Sequence, residues 1–168
     1  MGVEGMALLN VLPAITYGIA PTIELSLSRR AELRASALVS GTATTSVESA
    51  TAESSLIAGR LDACAAGWPR DLIRLRACAG LLAGAVNASG LSVPDPRTAV
   101  SPWITPALRL DATWHVARPL GLVLGVDGYF PGLRPELQIV DAEGTVVAAR
   151  RFPLAGVGIS LGALLALW

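Results

Sequence analysis

The stretch "LRLDATWHV", residues 108–116, decides the fold. Leu108, Leu110, Ala112, Trp114 and Val116 are apolar, while Arg109, Asp111, Thr113 and His115 between them are polar. Strict alternation is the pattern of a β-strand with one dry face and one polar face. Two architectures use such a strand in opposite senses. A soluble barrel packs the apolar face into its core and shows charges to water. A membrane-spanning barrel turns the apolar face to lipid and the charges into its lumen.

Composition separates the two. Hydrophobic residues make up 52% of the 168 residues and charged residues only 15%, against about 25% charged in a typical soluble domain. Mean hydropathy is +0.56. There is no lysine, and 13 arginines balance 13 acids to a formal net charge of zero. That balance suits a soluble monomer poorly. No arginine cluster is interleaved with aromatics, which argues against nucleic acid as a partner. A membrane-spanning helix needs about 20 mostly apolar residues. The stretches at 154–168 and 80–86 are both too short. The opening "MGVEGMALLN" carries neither a basic n-region nor a cleavage site, so no signal peptide is read in it.

The alternation recurs along the chain, at 2–11, 22–28, 31–40, 54–64, 72–86, 119–130 and 157–168. With 108–116 these make eight segments, most close to the ~9–11 residues of a tilted membrane strand. In the first segment Val3, Ala7, Leu9 and Val11 are read as one face. Turns near 29–30, 66–71 and 117–119 are short, whereas the linkers at 42–53, 87–101 and 131–153 are long and polar. Short and long connections alternate, except for a short first one, "PAITYG" at 13–18. Membrane barrels sort their connections this way, with short turns on the periplasmic side and long loops outside. The expectation is an all-β, eight-stranded antiparallel up-and-down β-barrel, transmembrane, in a single domain over 1–168.

The polar faces hold Glu4, Glu24, Glu32, Arg34, Arg60, Asp62, Arg74, Arg76, Arg109, Asp111, His115 and Asp127. The near balance of signs fits a lumen of paired charges. Cys64 and Cys78 are the only cysteines, and both fall on the inward face, about equally far from the turn near residue 71. In an oxidising compartment two such residues can bridge across a hairpin; the alternative is two buried thiols. One histidine and two cysteines do not make a metal site, and no cofactor motif is present. His115 is read as a member of the lumen network, not as a catalytic base. "NAS" at 87–89 is read as a polar turn, and "GTATTSVESATAESS" at 41–55 as a mobile outer loop.

The chain end, "GVGISLGALLALW", closes on Trp168 after apolar residues at every second position. It resembles the last strand of bacterial outer-membrane proteins, and the whole chain resembles the small eight-stranded outer-membrane barrels. Its Ala/Gly/Arg-rich style, the cysteine hairpin and "RTAVSPW" resemble a poorly characterised group from high-GC Gram-negative bacteria. The resemblance implies outer-membrane lipid as the environment, and recognition of the last strand by the barrel-assembly machinery. The expected protein is a monomer with a side-chain-filled lumen and a structural, adhesive or accessory role without catalysis. The competing readings are a soluble periplasmic lipocalin-like carrier of an apolar ligand and an outer-membrane lipid-modifying enzyme.

Overall fold

The structure is a computed structural model that describes residues 1–28, 30–47, 50–69, 72–90, 98–132, 136–140 and 146–165. Trp168 lies outside them. The described residues form strands, turns and bends and no helix. In chain order the strands are β1 (Gly2–Leu9), β2 (Thr16–Ser26), β3 (Ala31–Ser40), β4 (Ala43–Val47), β5 (Ala50–Pro69) and β6 (Ile73–Gly90). They continue with β7 (Thr98–Ala117), β8 (Leu120–Tyr129), β9 (Glu136–Val140), β10 (Val146–Arg151) and β11 (Gly156–Leu165).

Eight of these close into an antiparallel barrel. Around the wall the order is β2, β3, β5, β6, β7, β8, β11 and β1, with β3–β5 and β1–β11 pairings closing the ring. Closure removes the sheet edges that lipid could not satisfy. β4 folds back on the start of β5, and β9 with β10 forms a separate hairpin. Both sit in the long connections.

The alternation sorts the side chains by face. Ile23, Leu25, Leu61, Leu75, Leu108, Leu110, Leu124, Ile159 and Leu161 point outward and are exposed. Glu4, Arg34, Arg60, Asp62, Arg109, Asp111 and Asp127 point inward and are buried. A soluble carrier would reverse this. Aromatics bracket the outer skin: Trp114 near the turn end, Tyr17 and Phe130 near the loop end, all exposed. Such girdles mark the two interfaces of a membrane barrel.

Several boundaries differ from the sequence reading. β2 begins at Thr16, so half of the first linker is strand and the connection is a tight one over 10–15. There Asn10 adopts a left-handed φ of 56°, a conformation its short amide tolerates. The turn redirects the chain so that Val11 and Leu12 enter the barrel mouth and are buried; Val11 does not join the outward face. Within the stretch read as an outer loop, 41–55, residues 43–47 and 50–55 are strand. Ala43↔Ser54 through Val47↔Ala50 pair as a hairpin, because Thr and Ser alternate there with the inward Ala43 and Thr45. "NAS" at 87–89 is strand, paired on both sides.

β5, β6 and β7 run 20, 18 and 20 residues. At about 3.3 Å per residue and a tilt near 45°, 20 residues climb roughly 45 Å. The apolar band of a membrane barrel is about 25 Å tall. The three strands therefore continue past the membrane at the loop end as a β-wall, with β4 along its edge.

The outward face gives a direct test. Leu110 is two-thirds exposed, midway along the outer apolar row of β7. Leu110→Arg is expected to weaken insertion into lipid vesicles by about 2–4 kcal/mol, measured by urea titration of the vesicle-inserted protein. Unchanged insertion counts against lipid on that face.

Candidate functional site

The lumen has two storeys. The lower, toward the turns, is ionic. Arg109 on β7 is fully buried and donates to Glu4 on β1 at 2.6 Å, to Asp111 at 3.1 Å and to Asp127 on β8 at 3.0 Å. Glu4 also accepts from Arg34 on β3, whose guanidinium lies 3.5 Å from Asp111 as well. Arg76 on β6 meets Asp111 and Glu24, each at 2.7 Å, and Glu32 at 3.1 Å. Arg74 pairs with Glu32 at the edge of the cluster. Arg60 on β5 meets Asp62 at 2.7 Å and Asp127 at 2.5 Å, and its guanidinium stands 6.0 Å from the centre of the Tyr129 ring.

Glu4, Glu24, Glu32, Arg34, Arg60, Asp62, Arg74, Arg76, Arg109, Asp111 and Asp127 thus form one connected set. Five arginines face six carboxylates. Some pairs follow from strand register, since Arg109 lies opposite Asp127 and Arg76 opposite Asp111. Others do not. Arg34 lies opposite Asp62 and Glu24 in register, yet it reaches across the lumen to Glu4 and Asp111.

Glycines make room for these long side chains. A Cβ on Gly125 would stand 2.6 Å from the Arg109 guanidinium carbon, and one on Gly162 would stand 2.5 Å from Cγ of Glu4. Gly80 leaves space for the Asp62 carboxylate in the same way.

His115 departs from the sequence reading. It has the inward parity, but it lies at the turn end beside a bulge between His115 and Ala117, and it is exposed. Among the described residues no ion pair joins it to the cluster. The ladder loses its regular inward direction at the bulge.

Cys64 and Cys78 lie directly opposite each other on β5 and β6 and are bonded. They sit in register with Glu32 and Arg109, at the level of the ionic storey.

The upper storey, toward the loops, is apolar. Leu8, Leu12, Leu56, Leu82 and Trp103 are buried to 1% exposure or less, with Met6, Leu38, Val86 and Phe152 around them. Sequence reading missed this layer. Its inward apolar residues adjoin outward ones, as in "LI" at 56–57 and "LL" at 81–82, and so break the alternation that marks a face. Among the described residues no group of three His, Cys, Asp or Glu side chains is placed to hold a metal. The arrangement fills and braces the lumen.

A closed eight-stranded wall, an apolar outer skin and a paired-charge interior define a small transmembrane β-barrel, the architecture of bacterial outer-membrane proteins. Among solved structures the chain is similar to Ail, the attachment invasion locus protein of Yersinia pestis, with TM-score 0.55 and 7% identity over 96% of this chain and 91% of that one. Ail in complex with the heparin analogue sucrose octasulfate gives TM-score 0.56 and 9% identity over 96% and 92%. The N-terminal barrel domain of Pseudomonas aeruginosa OprF gives TM-score 0.48 and 16% identity over 96% of each chain. At such identities the likeness is one of fold. No protein-family model and no curated protein matches the chain, and the resemblance to a high-GC bacterial group gains no support.

Two outcomes test the site. Arg109→Gln leaves three buried carboxylates short of their cation, and breaking a buried pair costs about 3–5 kcal/mol. Arg118→Gln, at an exposed turn, is expected to cost at most about 0.5 kcal/mol. Urea unfolding of the refolded protein in vesicles measures both, and equal losses refute an inward Arg109. Non-reducing mass spectrometry is expected to show one intramolecular disulfide. The double variant Cys64→Ser/Cys78→Ser is expected to lose up to about 3 kcal/mol, from the roughly 15-residue loop that the bond closes. Two cysteines that alkylate without reductant refute the bond.

Proposed function

We propose that the chain is an outer-membrane barrel that works through its outer β-wall, in a structural or adhesive role, with neither transport nor catalysis. The observation that carries this reading is the contrast between the two ends of the molecule. The lumen is packed with paired charges and, above them, with Leu8, Leu56, Leu82 and Trp103. An eight-stranded interior is only wide enough for such filling. The wall of β4 to β7, by contrast, extends well beyond the membrane and offers a broad surface of Thr44, Ser46, Glu53, Ser55, Asn87, Ser89 and Ser101.

Ail is named for attachment, and one of its crystal structures is a complex with a sulfated heparin analogue. Attachment suits a projecting wall. The sulfated ligand does not carry over. The loop-end segments 41–55, 87–101 and 130–155 hold Glu48, Glu53, Asp95, Glu136, Asp141 and Glu143 against Arg97, Arg134, Arg150 and Arg151. Segments with an excess of acids do not favour a polyanion.

The inverted faces disfavour the lipocalin-like carrier, whose apolar residues would line a cavity. The lipid-modifying enzyme lacks support from His115, which lies at the turn end, away from the outer surface.

Purified folded protein in planar bilayers is expected to give no steady conductance; regular channel steps refute the filled lumen. On whole cells, replacing residues 43–53 by a Gly-Ser turn is expected to abolish attachment to host-cell monolayers while the heat-modifiable band persists. Equal attachment with and without the hairpin refutes the adhesive role of the wall.

A further inference from the structure

The formal charge of zero conceals an axial separation. The loop-end segments hold six acids and four arginines, and the lumen six carboxylates and five arginines. The remaining charges fall in sequence at the three short connections: Arg29, Arg30, Arg70 and Arg118 against Asp71 alone. By sequence, the long connections carry an excess of acids and the short ones an excess of arginines.

Arg30 and Arg118 are described and exposed, and among the described residues neither has an ion pair. Nearby charges are otherwise committed: Arg74 to Glu32, and Glu24 to Arg76. Arg30 ends the β2–β3 turn and Arg118 stands in the β7–β8 turn. In the ring, β5 and β6 separate these turns on one side and β11 and β1 on the other, so they lie on opposite sides of the mouth. Each adjoins the outer apolar skin, Arg30 through the outward Leu27 and Arg118 through the outward Val116 and Leu120.

We propose that Arg30 and Arg118 bind phosphate groups of anionic phospholipids in the leaflet that faces the turns. This rests on the membrane-spanning reading above. The forked donors of a guanidinium match phosphate oxygens. The adjoining Leu27, Val116 and Trp114 take the acyl chains of the same lipid, which free phosphate lacks. An arginine held at an anionic lipid surface strengthens the association about fivefold. Clamps on opposite sides of the mouth hold the barrel upright and fix its depth.

The test uses the full chain, folded in detergent with equal amounts of phosphatidylglycerol and phosphatidylcholine, and native mass spectrometry of the retained lipids. Wild type is expected to retain phosphatidylglycerol at least about fivefold over phosphatidylcholine. Arg30→Gln/Arg118→Gln is expected to bring the ratio near parity, Arg30→Lys/Arg118→Lys to keep most of it, and Glu53→Gln at the loop end to leave it unchanged. Equal retention of both lipids by wild type, an undiminished ratio in the double glutamine variant, or full displacement by inorganic phosphate overturns the proposal. Heat-modifiable mobility confirms that each variant is folded, and if the double variant does not fold, the single variants carry the comparison. Failure of the wild type to insert into vesicles overturns the membrane-spanning reading itself. Insertion without lipid preference overturns only this inference.

Discussion

The structure depends on one constraint: a charge pointing into the lumen must find its counter-charge there. A lone ion at membrane depth is expensive, and a buried pair is tolerable only when both partners are present and well placed. Arg109 meets this through Glu4, Asp111 and Asp127, on β1, β7 and β8. Those strands become neighbours of one lumen only when β11 links β8 to β1. An open sheet would part Glu4 from Arg109. The cluster therefore rewards closure and penalises every partly assembled form. Seven of the eight wall strands supply a charge to it. The eighth, β11, supplies Gly158, Ser160 and Gly162, and the absent side chain at Gly162 is what lets Glu4 lie inward.

The two storeys support each other. Water entering from the loop end would meet Leu8, Leu56, Leu82 and Trp103 before any charge. Excluding it keeps the local dielectric low, which strengthens every correctly paired contact below and makes every mispaired one more costly. The apolar storey is itself held by closure, since Leu8, Leu56, Leu82 and Trp103 come from β1, β5, β6 and β7. Removing water and pairing charges are thus one device, and it needs the whole ring.

Much of this was legible in the chain. Alternation at 108–116 separated Arg109 and Asp111 from Leu108 and Leu110, and the same parity put Arg60, Asp62, Arg74 and Arg76 on one face with them. Short turns against long connections gave the order of the wall. The cysteines could be matched because both share the inward parity and stand equally far from one turn. Partner choice was not legible: Arg34 bypasses its register neighbours for Glu4 and Asp111, a choice made by the curvature of the closed wall. The apolar storey was hidden because both faces of the upper strands are apolar, so period two carries no contrast there. His115 followed the parity rule until a bulge ended it. The hairpin of β4 and β5 was obscured because a run of Thr and Ser reads equally as loop.

The β5–β6 pair shows what the bridge and the charges contribute jointly. Its ladder sets small residues against small ones, with Ala58 opposite Gly84, Gly59 opposite Ala83, Ala63 opposite Ala79 and Ala65 opposite Ala77. Pairs of this kind hold little register information, and small-residue strands are prone to slip. A slip of one residue would turn Arg60, Asp62 and Arg76 out into lipid. Three features oppose it. Asp62 has room only opposite a residue without a side chain, and Gly80 provides it. Arg60 and Arg76 gain partners on other strands only in the native register. Cys64 and Cys78 bond only when they face each other. The covalent bond fixes locally, between two neighbouring strands, the register that the charge cluster requires globally. The most weakly encoded stretch of the wall is thereby the one most tightly pinned.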